Sequence, residues 1–489
     1  MRETQTAAEL FPAYAESPPD DRAAALRSVA DALEAAAGDL VPAAMAETGL
    51  AEARLRGELI RTAVQLRLFA EVCTAGDYLG VRIDEPDPGF VLGPRPDLRR
   101  LRVPLGPALV FAASNFPFAF SVAGGDTAAA LAAGCPVLVK AHPGHPRLAE
   151  RTADVVRAAL AAAGQPADLL QLIHGQDTGV RALRDDRIAV ASFTGSLAAG
   201  RVLAKVAAER DRPIPFYGEL GSVNPVVVTP AALAERAGEI AAGFVASVSG
   251  SAGQLCTKPG FLFLSEGHGL AKALADAAAG VAEHPLLHPG IAAGYTQRRA
   301  AVLGAPGVEL LAEGTVRSDS GGWTRVTPTL VRIDLAGLEK HRAALLDEAF
   351  GPLSIVVDYD PDRLTGAVGD LFPGSLTATV HSGADEDSDW LRDLVATLRD
   401  RAGRLIFNGW PTGVAVTPAM QHGGPYPSST AAGTTSVGTA AIGRFLRPVT
   451  YQNCPPALLP PPLRDDNPWG VPQRRSPAGE SVHWGRPNA

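Results

Sequence analysis

Between residues 107 and 229, the short apolar runs PALVFAA, PVLVKA, LLQLIHG and IAVASFTG alternate with Ala-rich stretches at 121–133, 148–163, 177–184 and 197–209. Strand, helix, strand at this spacing builds βαβ units and hence a mostly parallel, doubly wound sheet. Ligands of such sheets bind beyond the carboxyl ends of the strands. Asn115, Lys140, Gly175 and Gly195 all fall at those ends.

The remaining chain frames this core. At 489 residues it exceeds what one hydrophobic core serves, so two or three domains are expected. Residues 19–77 carry helical periodicity, as in Ala23, Leu26, Val29, Leu33 and again Leu59, Ala63, Leu66, Phe69. FVLGPRPDLRRLRVPLG reads as a hairpin of two extended segments around a Pro-rich turn, standing away from the main sheet. A second α/β region spans 231 to about 442, with strands PGFLFL, PTLVRI, PLSIVVDY, LTATVHS and RLIFNG. The Pro-rich tail after it pairs with or covers another element rather than forming a domain.

A net charge of -8 argues against a nucleic-acid partner, because phosphate binding needs concentrated Lys and Arg. MRETQTAAELFPAYAE lacks the charged-then-apolar pattern of a secretory signal, and no run approaches 18 apolar residues, so no membrane span and a cytoplasmic location are expected. Cys73, Cys135, Cys256 and Cys454 are too scattered for a metal knuckle, and no metal is expected. Cys73 and Cys135 read as core residues.

Cys256 differs, lying in GSAGQLCTKPG among Gly, Ser, Gln and Thr, where a thiol stays reachable. Glu219 lies upstream in PFYGELGSVNP. A thiol forms a thioester-level intermediate with an aldehyde carbon, and a carboxylate activates the water that hydrolyses it. Asn115, in ASNFPF, has two readings: an oxyanion donor neutral at every working pH, or a turn asparagine. Lys140, one of only five lysines, closes the strand PVLVK; it can serve a cofactor ribose or phosphate, or reach to solvent. No G-x-G-x-x-G stands at the first strand–helix turn. FTGSLAAG instead brings Gly195 and Ser196 to a helix start whose free N–H groups can face an anion, although any such turn favours Gly and Ser. Glu219 and Glu348, the latter in DEAFGP, also read as ordinary carboxylates of a turn and a strand entry.

Taken in order, ASNFP, VLVK, FTGS, GELG, GQLC and DEAFGP resemble the WNFP, strand-end lysine, phosphate-turn, ELGG, nucleophile and EEIFGP motifs of the aldehyde dehydrogenase superfamily. More narrowly, SNFPFAFSVAGGDTAAALAAGCPVLVKAHPGHP, FNGWPTGVAV, HGGPYP and TTSVGTAAIGRFLRPV are similar to its α-ketoglutaric semialdehyde (2,5-dioxovalerate) dehydrogenase subgroup. That resemblance implies a dinucleotide-binding domain over 1–88 and 107–221, a catalytic domain over 222–442, and an oligomerisation element over 89–106 and 443–489. It implies Cys256 as nucleophile, Asn115 as oxyanion donor and Glu219 as base. Ser114, Lys140, Gly195, Ser196, Leu220, Glu348 and Phe350 would hold the cofactor, with Glu348 on the nicotinamide ribose. The expected product is a carboxylic acid, and the expected assembly a homodimer or homotetramer.

Two departures bear on specificity. Where NAD-selective relatives carry a glutamate three residues after the strand-end lysine, this chain has Pro143, so NADP is expected, with NAD possible. Where the subgroup carries asparagine two residues after the nucleophile, this chain has Lys258. In an extended segment Lys258 shares a face with Cys256 and can meet a substrate carboxylate; a lysine reaching solvent is the other reading. Phe118 and Trp410 are placed at the substrate entrance. A fatty or pathway-specific aldehyde is the alternative substrate.

Overall fold

In the computed structural model, which describes residues 1–484, the four apolar runs are the strands Ala108–Phe111, Val137–Lys140, Leu170–Ile173 and Val190–Thr194. A fifth, Phe216–Glu219, joins them, and all pairings are parallel. All of Ala108–Phe111 is buried, as expected of a central strand covered by helices on both faces. The chain winds from Ala108–Phe111 outward through Val137–Lys140 to Leu170–Ile173, then returns to the other side with Val190–Thr194 and Phe216–Glu219. That reversal is the switch point where such sheets open a ligand crevice. Asn115 follows one of its two bordering strands and Gly195 the other.

The periodic region 19–77 forms helices Pro19–Ala35, Ala37–Thr48 and Glu52–Ala75, and each of its eight marker residues is at most 2 % exposed. A further helix, Arg2–Ala15, was not expected, since Pro12 interrupts its pattern. It packs on the Val137–Lys140 and Leu170–Ile173 strands, and the Met1 ammonium pairs with Asp185 at 3.1 Å. Burial pushes the Cys73 and Cys135 thiols up to about 11, so both are inert core groups.

The second α/β region is a seven-stranded sheet in the order Glu309–Ala312, Thr329–Asp334, Leu353–Tyr359, Phe261–Ser265, Pro225–Val228, Ser375–His381, Ala402–Phe407. Only the Glu309–Ala312 edge is antiparallel. Among the described residues no helix is long and apolar enough to cross a membrane.

The expected hairpin is replaced by a different sheet. Leu98–Pro104 is a strand, but residues 90–94 form an exposed turn and do not pair with it. Its antiparallel neighbours are Val81–Asp84 and Leu446–Gln452, with Gln473–Ser476 on the far edge. Gly93 at φ 103 turns the chain away, and Arg95 is drawn inward to the carbonyls of Glu85 and Ser476. The small sheet therefore begins at Val81, N-terminal to the boundary drawn at 89. Residues 485–489 of the tail lie outside the described residues.

Candidate active site

A cleft of about 1210 Å³ opens at the carboxyl ends of the first sheet and reaches across to the second. Asn115, Glu219 and Cys256 line it together, as do Ser114, Lys140, Gly195, Ser196, Leu220, Glu348 and Phe350. Phe118, Lys258 and Trp410 do not.

The nucleophile loop is held in an unusual backbone. Ser251, Ala252 and Gly253 are consecutively left-handed at φ 52, 53 and 65. Such conformations persist only where the surroundings over-determine them. A Cβ on Gly253 would strike the backbone of Gly351, so the Cys256 loop and the DEAFGP loop touch main chain to main chain. Beyond the turn, Asn224 Nδ2 donates to Cys256 O at 2.8 Å and Lys258 O at 3.0 Å. Its Oδ1 accepts from Ser222 Oγ, Thr377 N and Thr377 Oγ1. Asn224 fastens the nucleophile loop to two strands of the second sheet. Asn224→Ala is expected to lower kcat about 100-fold, the order of loss that a misplacement of about 1 Å produces. Steady-state turnover together with the iodoacetamide reaction rate of Cys256 checks this.

Around the half-buried thiol, Glu219, Cys256 and His422 bring donor atoms within 4.8 Å of one another. His422 Nε2 lies 3.0 Å from Glu219 Oε1 and 3.4 Å from Cys256 Sγ, while the Ser436 hydroxyl donates to Glu219 Oε2. Burial alone would raise the Glu219 carboxyl, but His422 and Ser436 outweigh it and hold the group below its usual range. Burial, then the Glu219 and Glu348 carboxylates, push the Cys256 thiol well above its usual range, with Arg404 opposing. With its acidity suppressed in this way, the sulfur needs a proton acceptor when it attacks.

His422 and Ser436 were missed by sequence reasoning. His422 follows Cys256 by 166 residues, and HGGPYP served there only as a subgroup signature. A histidine directly before two glycines, amid turn-forming residues, was the available signal.

Asn115 is 6 % exposed; its Nδ2 donates to Gln254 O at 3.0 Å, leaving a second N–H for another acceptor. Arg54 Nη2 holds the Asn115 carbonyl at 2.6 Å. Lys140 is half-buried, its ammonium lowered by burial, and among the described residues no carboxylate lies within ion-pair distance. Ser196 caps the Leu197–Ala208 helix, accepting from Ala199 N at 3.3 Å. The Glu348 carboxylate lies against Gly221, where a Cβ would displace it.

Three expectations for the substrate end, Phe118, Lys258 and Trp410, are corrected. Phe118, 1 % exposed, points into the core of the first domain; the segment is a turn in which Phe120 N donates to Phe116 O, so Phe116 and Phe120 lie together and half-buried while residues 117–119 are buried. Lys258 is 3 % exposed, and its Nζ donates to Leu353 O at 2.6 Å beneath the cleft. The cause is a turn, with Lys258 N donating to Leu255 O, so residues 256 and 258 do not share a face. Burial lowers the Lys258 ammonium and raises the Glu348 carboxyl, each partly offset by the other's charge. Trp410 packs half-buried beside Phe244 and His381, against Gly243 of the Pro230–Ser249 helix.

A family model described as "Aldehyde dehydrogenase family" matches residues 2–447. The chain is 42 % identical to "Alpha-ketoglutaric semialdehyde dehydrogenase 2" of Azospirillum brasilense, over 98 % of this chain and 91 % of that protein. It is 41 % identical to "Alpha-ketoglutaric semialdehyde dehydrogenase" of Acinetobacter baylyi, over 95 % and 88 %. In fold it is similar to an NAD-dependent aldehyde dehydrogenase from Sinorhizobium meliloti, with a TM-score of 0.76 and 22 % identity over 93 % of this chain and 86 % of that one.

Proposed function

The chain belongs to the aldehyde dehydrogenase family, and from that premise we propose that it oxidises α-ketoglutaric semialdehyde to 2-oxoglutarate with NADP, through Cys256. The observation that carries the mechanism is the single imidazole nitrogen shared between thiol and carboxylate, 3.4 Å and 3.0 Å away. The near-full-length likeness to two semialdehyde dehydrogenases supports the substrate.

His422 Nε2 takes the thiol proton as sulfur attacks the aldehyde carbon and keeps it, as an imidazolium beside the Glu219 carboxylate, until the sulfur leaves the acyl group and takes it back. The new oxyanion is held by the second Asn115 N–H and the Cys256 backbone N–H. Bound in the cleft, the nicotinamide supplies the hydride acceptor. The acyl group then sits on Cys256 as a thioester. Glu219 Oε1, which makes no hydrogen bond despite its nearness to His422, accepts a proton from the water that hydrolyses it.

The residues in the cleft suit a dinucleotide: an unpaired Lys140 ammonium, the amide-lined start of the Leu197–Ala208 helix, and a carboxylate at Gly221 for ribose hydroxyls. With Pro143 where a repelling carboxylate would stand, Lys140 is assigned to the 2′-phosphate. The small four-stranded sheet, with Leu92 at 88 % exposure beside it, is assigned to homodimer or homotetramer contacts. A panel of 2,5-dioxovalerate, hexanal and decanal, followed by reduced-nicotinamide absorbance with each cofactor, tests the reading. The semialdehyde with NADP should give the highest kcat/KM, and Lys140→Met should erode the NADP advantage. Decanal better by tenfold or more refutes the substrate; a higher efficiency with NAD refutes the cofactor preference.

A further inference from the structure

The Glu52–Ala75 helix sets Arg54, Glu58 and Arg61 on one face, at the spacing that makes helix residues neighbours. This face packs on the 115–120 loop that carries Asn115. Glu58 Oε1 accepts from Phe118 N at 2.8 Å and Ala119 N at 3.0 Å. Its Oε2 lies 3.9 Å from Arg54, which also holds the Asn115 carbonyl. One carboxylate and one guanidinium thus position the loop. Arg61 is left over.

Its surroundings are those of a cation without an anion. The Arg61 Cζ lies 5.5 Å from the centre of the Phe120 ring, and its Nη1 is closed off from solvent with no hydrogen-bond partner. Among the described residues no carboxylate comes within ion-pair distance of it, the nearest pairing on its helix being Arg54 with Glu58. Burial lowers its guanidinium, the Glu58 charge opposes this first, and the Cys256 and Glu219 charges follow. A buried guanidinium N–H with no acceptor is costly, and such groups ordinarily are paired.

A line of contacts joins this cation to the thiol. Phe120, under Arg61, has its ring centre 6.4 Å from that of His422, whose Nε2 lies 3.4 Å from Cys256 Sγ. Phe116, 5.5 Å from Phe120, completes a half-buried aromatic wall. The other cations near the thiol have their terminal nitrogens engaged: Arg404 donates Nη2 to Pro411 O at 2.8 Å and Nη1 to Gly413 O at 2.9 Å, leaving only its Nε without an acceptor, and Lys258 donates to Leu353 O.

We propose that Arg61 is the anchor for the distal carboxylate of the aldehyde substrate, holding it across the Phe116–Phe120 wall while the aldehyde carbon meets Cys256. This rests on the semialdehyde reading above, and makes Arg61 a determinant of specificity for ω-carboxylated aldehydes over neutral ones. A guanidinium meets a carboxylate through paired N–H donors in a fixed fork, so the anchor also sets substrate orientation.

The test compares kcat/KM for 2,5-dioxovalerate and for pentanal, a neutral aldehyde of equal chain length, in the wild type, Arg61→Met and Arg61→Lys. The wild type should favour the acid strongly. Arg61→Met should reduce the acid-to-pentanal ratio about 30- to 100-fold, chiefly through KM for the acid, the scale of a charged hydrogen bond. Arg61→Lys should recover part of that ratio. Glutarate, assayed as an inhibitor of pentanal oxidation, should lose potency in Arg61→Met to a similar degree. If the wild type favours the acid and Arg61→Met keeps the ratio, the anchor is overturned while the semialdehyde reading stands. A parallel loss on both substrates, with glutarate inhibition unchanged, assigns Arg61 to loop support and overturns it as well. Should the wild type show no preference for the acid, the semialdehyde reading fails, and the anchor with it.

Discussion

Replacing Cys256 with alanine is expected to remove aldehyde oxidation altogether, by at least about 10⁴-fold in kcat, because no other side chain in the cleft can carry the acyl group. The residues assigned to the cofactor do not depend on the sulfur. Lys140, Ser196 and Glu348 are held by the first sheet, by a helix start and by Gly221. NADP affinity, measured by calorimetry, should therefore stay within a few-fold of wild type. Normal turnover in Cys256→Ala, followed by reduced-cofactor absorbance, would rule out the covalent mechanism.

The second large effect concerns Glu219→Gln, which should divide the reaction in time. Steady-state turnover should fall about 10²- to 10⁴-fold, the range for loss of a general base. A first-turnover burst of reduced cofactor should survive, because acylation needs only a proton acceptor for the thiol and His422 remains in place. A pH signature accompanies it. The Glu219 charge is, after burial, the largest cause holding the Cys256 thiol up, and a neutral amide removes it. The onset of the burst, and of Cys256 alkylation, should move to lower pH, by part of the shift only, since burial is unchanged. Loss of both burst and turnover, or an onset moved to higher pH, would refute late water activation by Glu219.

What could be read in the sequence follows from how local each signal was. Most strands of both large sheets were legible because central parallel strands are buried on two faces and write themselves as uninterrupted apolar runs, as in the fully buried Leu353–Tyr359, whereas the short Phe216–Glu219, Pro225–Val228 and Glu309–Ala312, of four residues each, were not read. Cys256, Glu219 and Asn115 stood out because their chemistry is uncommon in Gly-rich turns. The errors arose where neighbours distant in sequence decide the outcome. Lys258 was given an extended backbone, but a hydrogen-bonded turn bends the chain at that point. Phe118 was one of three phenylalanines in FPFAF, and only packing against the Glu52–Ala75 helix separates the core one from the outward two. Residues 90–94 had strand-like composition, yet Leu98–Pro104 found longer partners at Val81–Asp84 and Leu446–Gln452. His422 meets the thiol across 166 positions of sequence, and Arg61 approaches it only by way of the Phe120 ring, so neither neighbourhood was visible locally.

The clasp on Glu219 gives the site an order in time. Nucleophile and base are already present once synthesis has passed residue 256, but the groups that orient the base, His422 and Ser436, emerge much later, as does Ser429, which bridges the Glu219 backbone. At roughly 5–20 residues per second, the thiol spends on the order of ten seconds in a nascent chain that lacks its proton acceptor. Throughout that interval the sulfur also lacks the burial and the neighbouring carboxylates that raise it in the finished fold, so it reacts as an ordinary exposed thiol. The site thus passes from an unguided thiol to one shielded by burial and served by a proton acceptor only when the polypeptide is nearly complete, a change timed by the position of a histidine late in the chain.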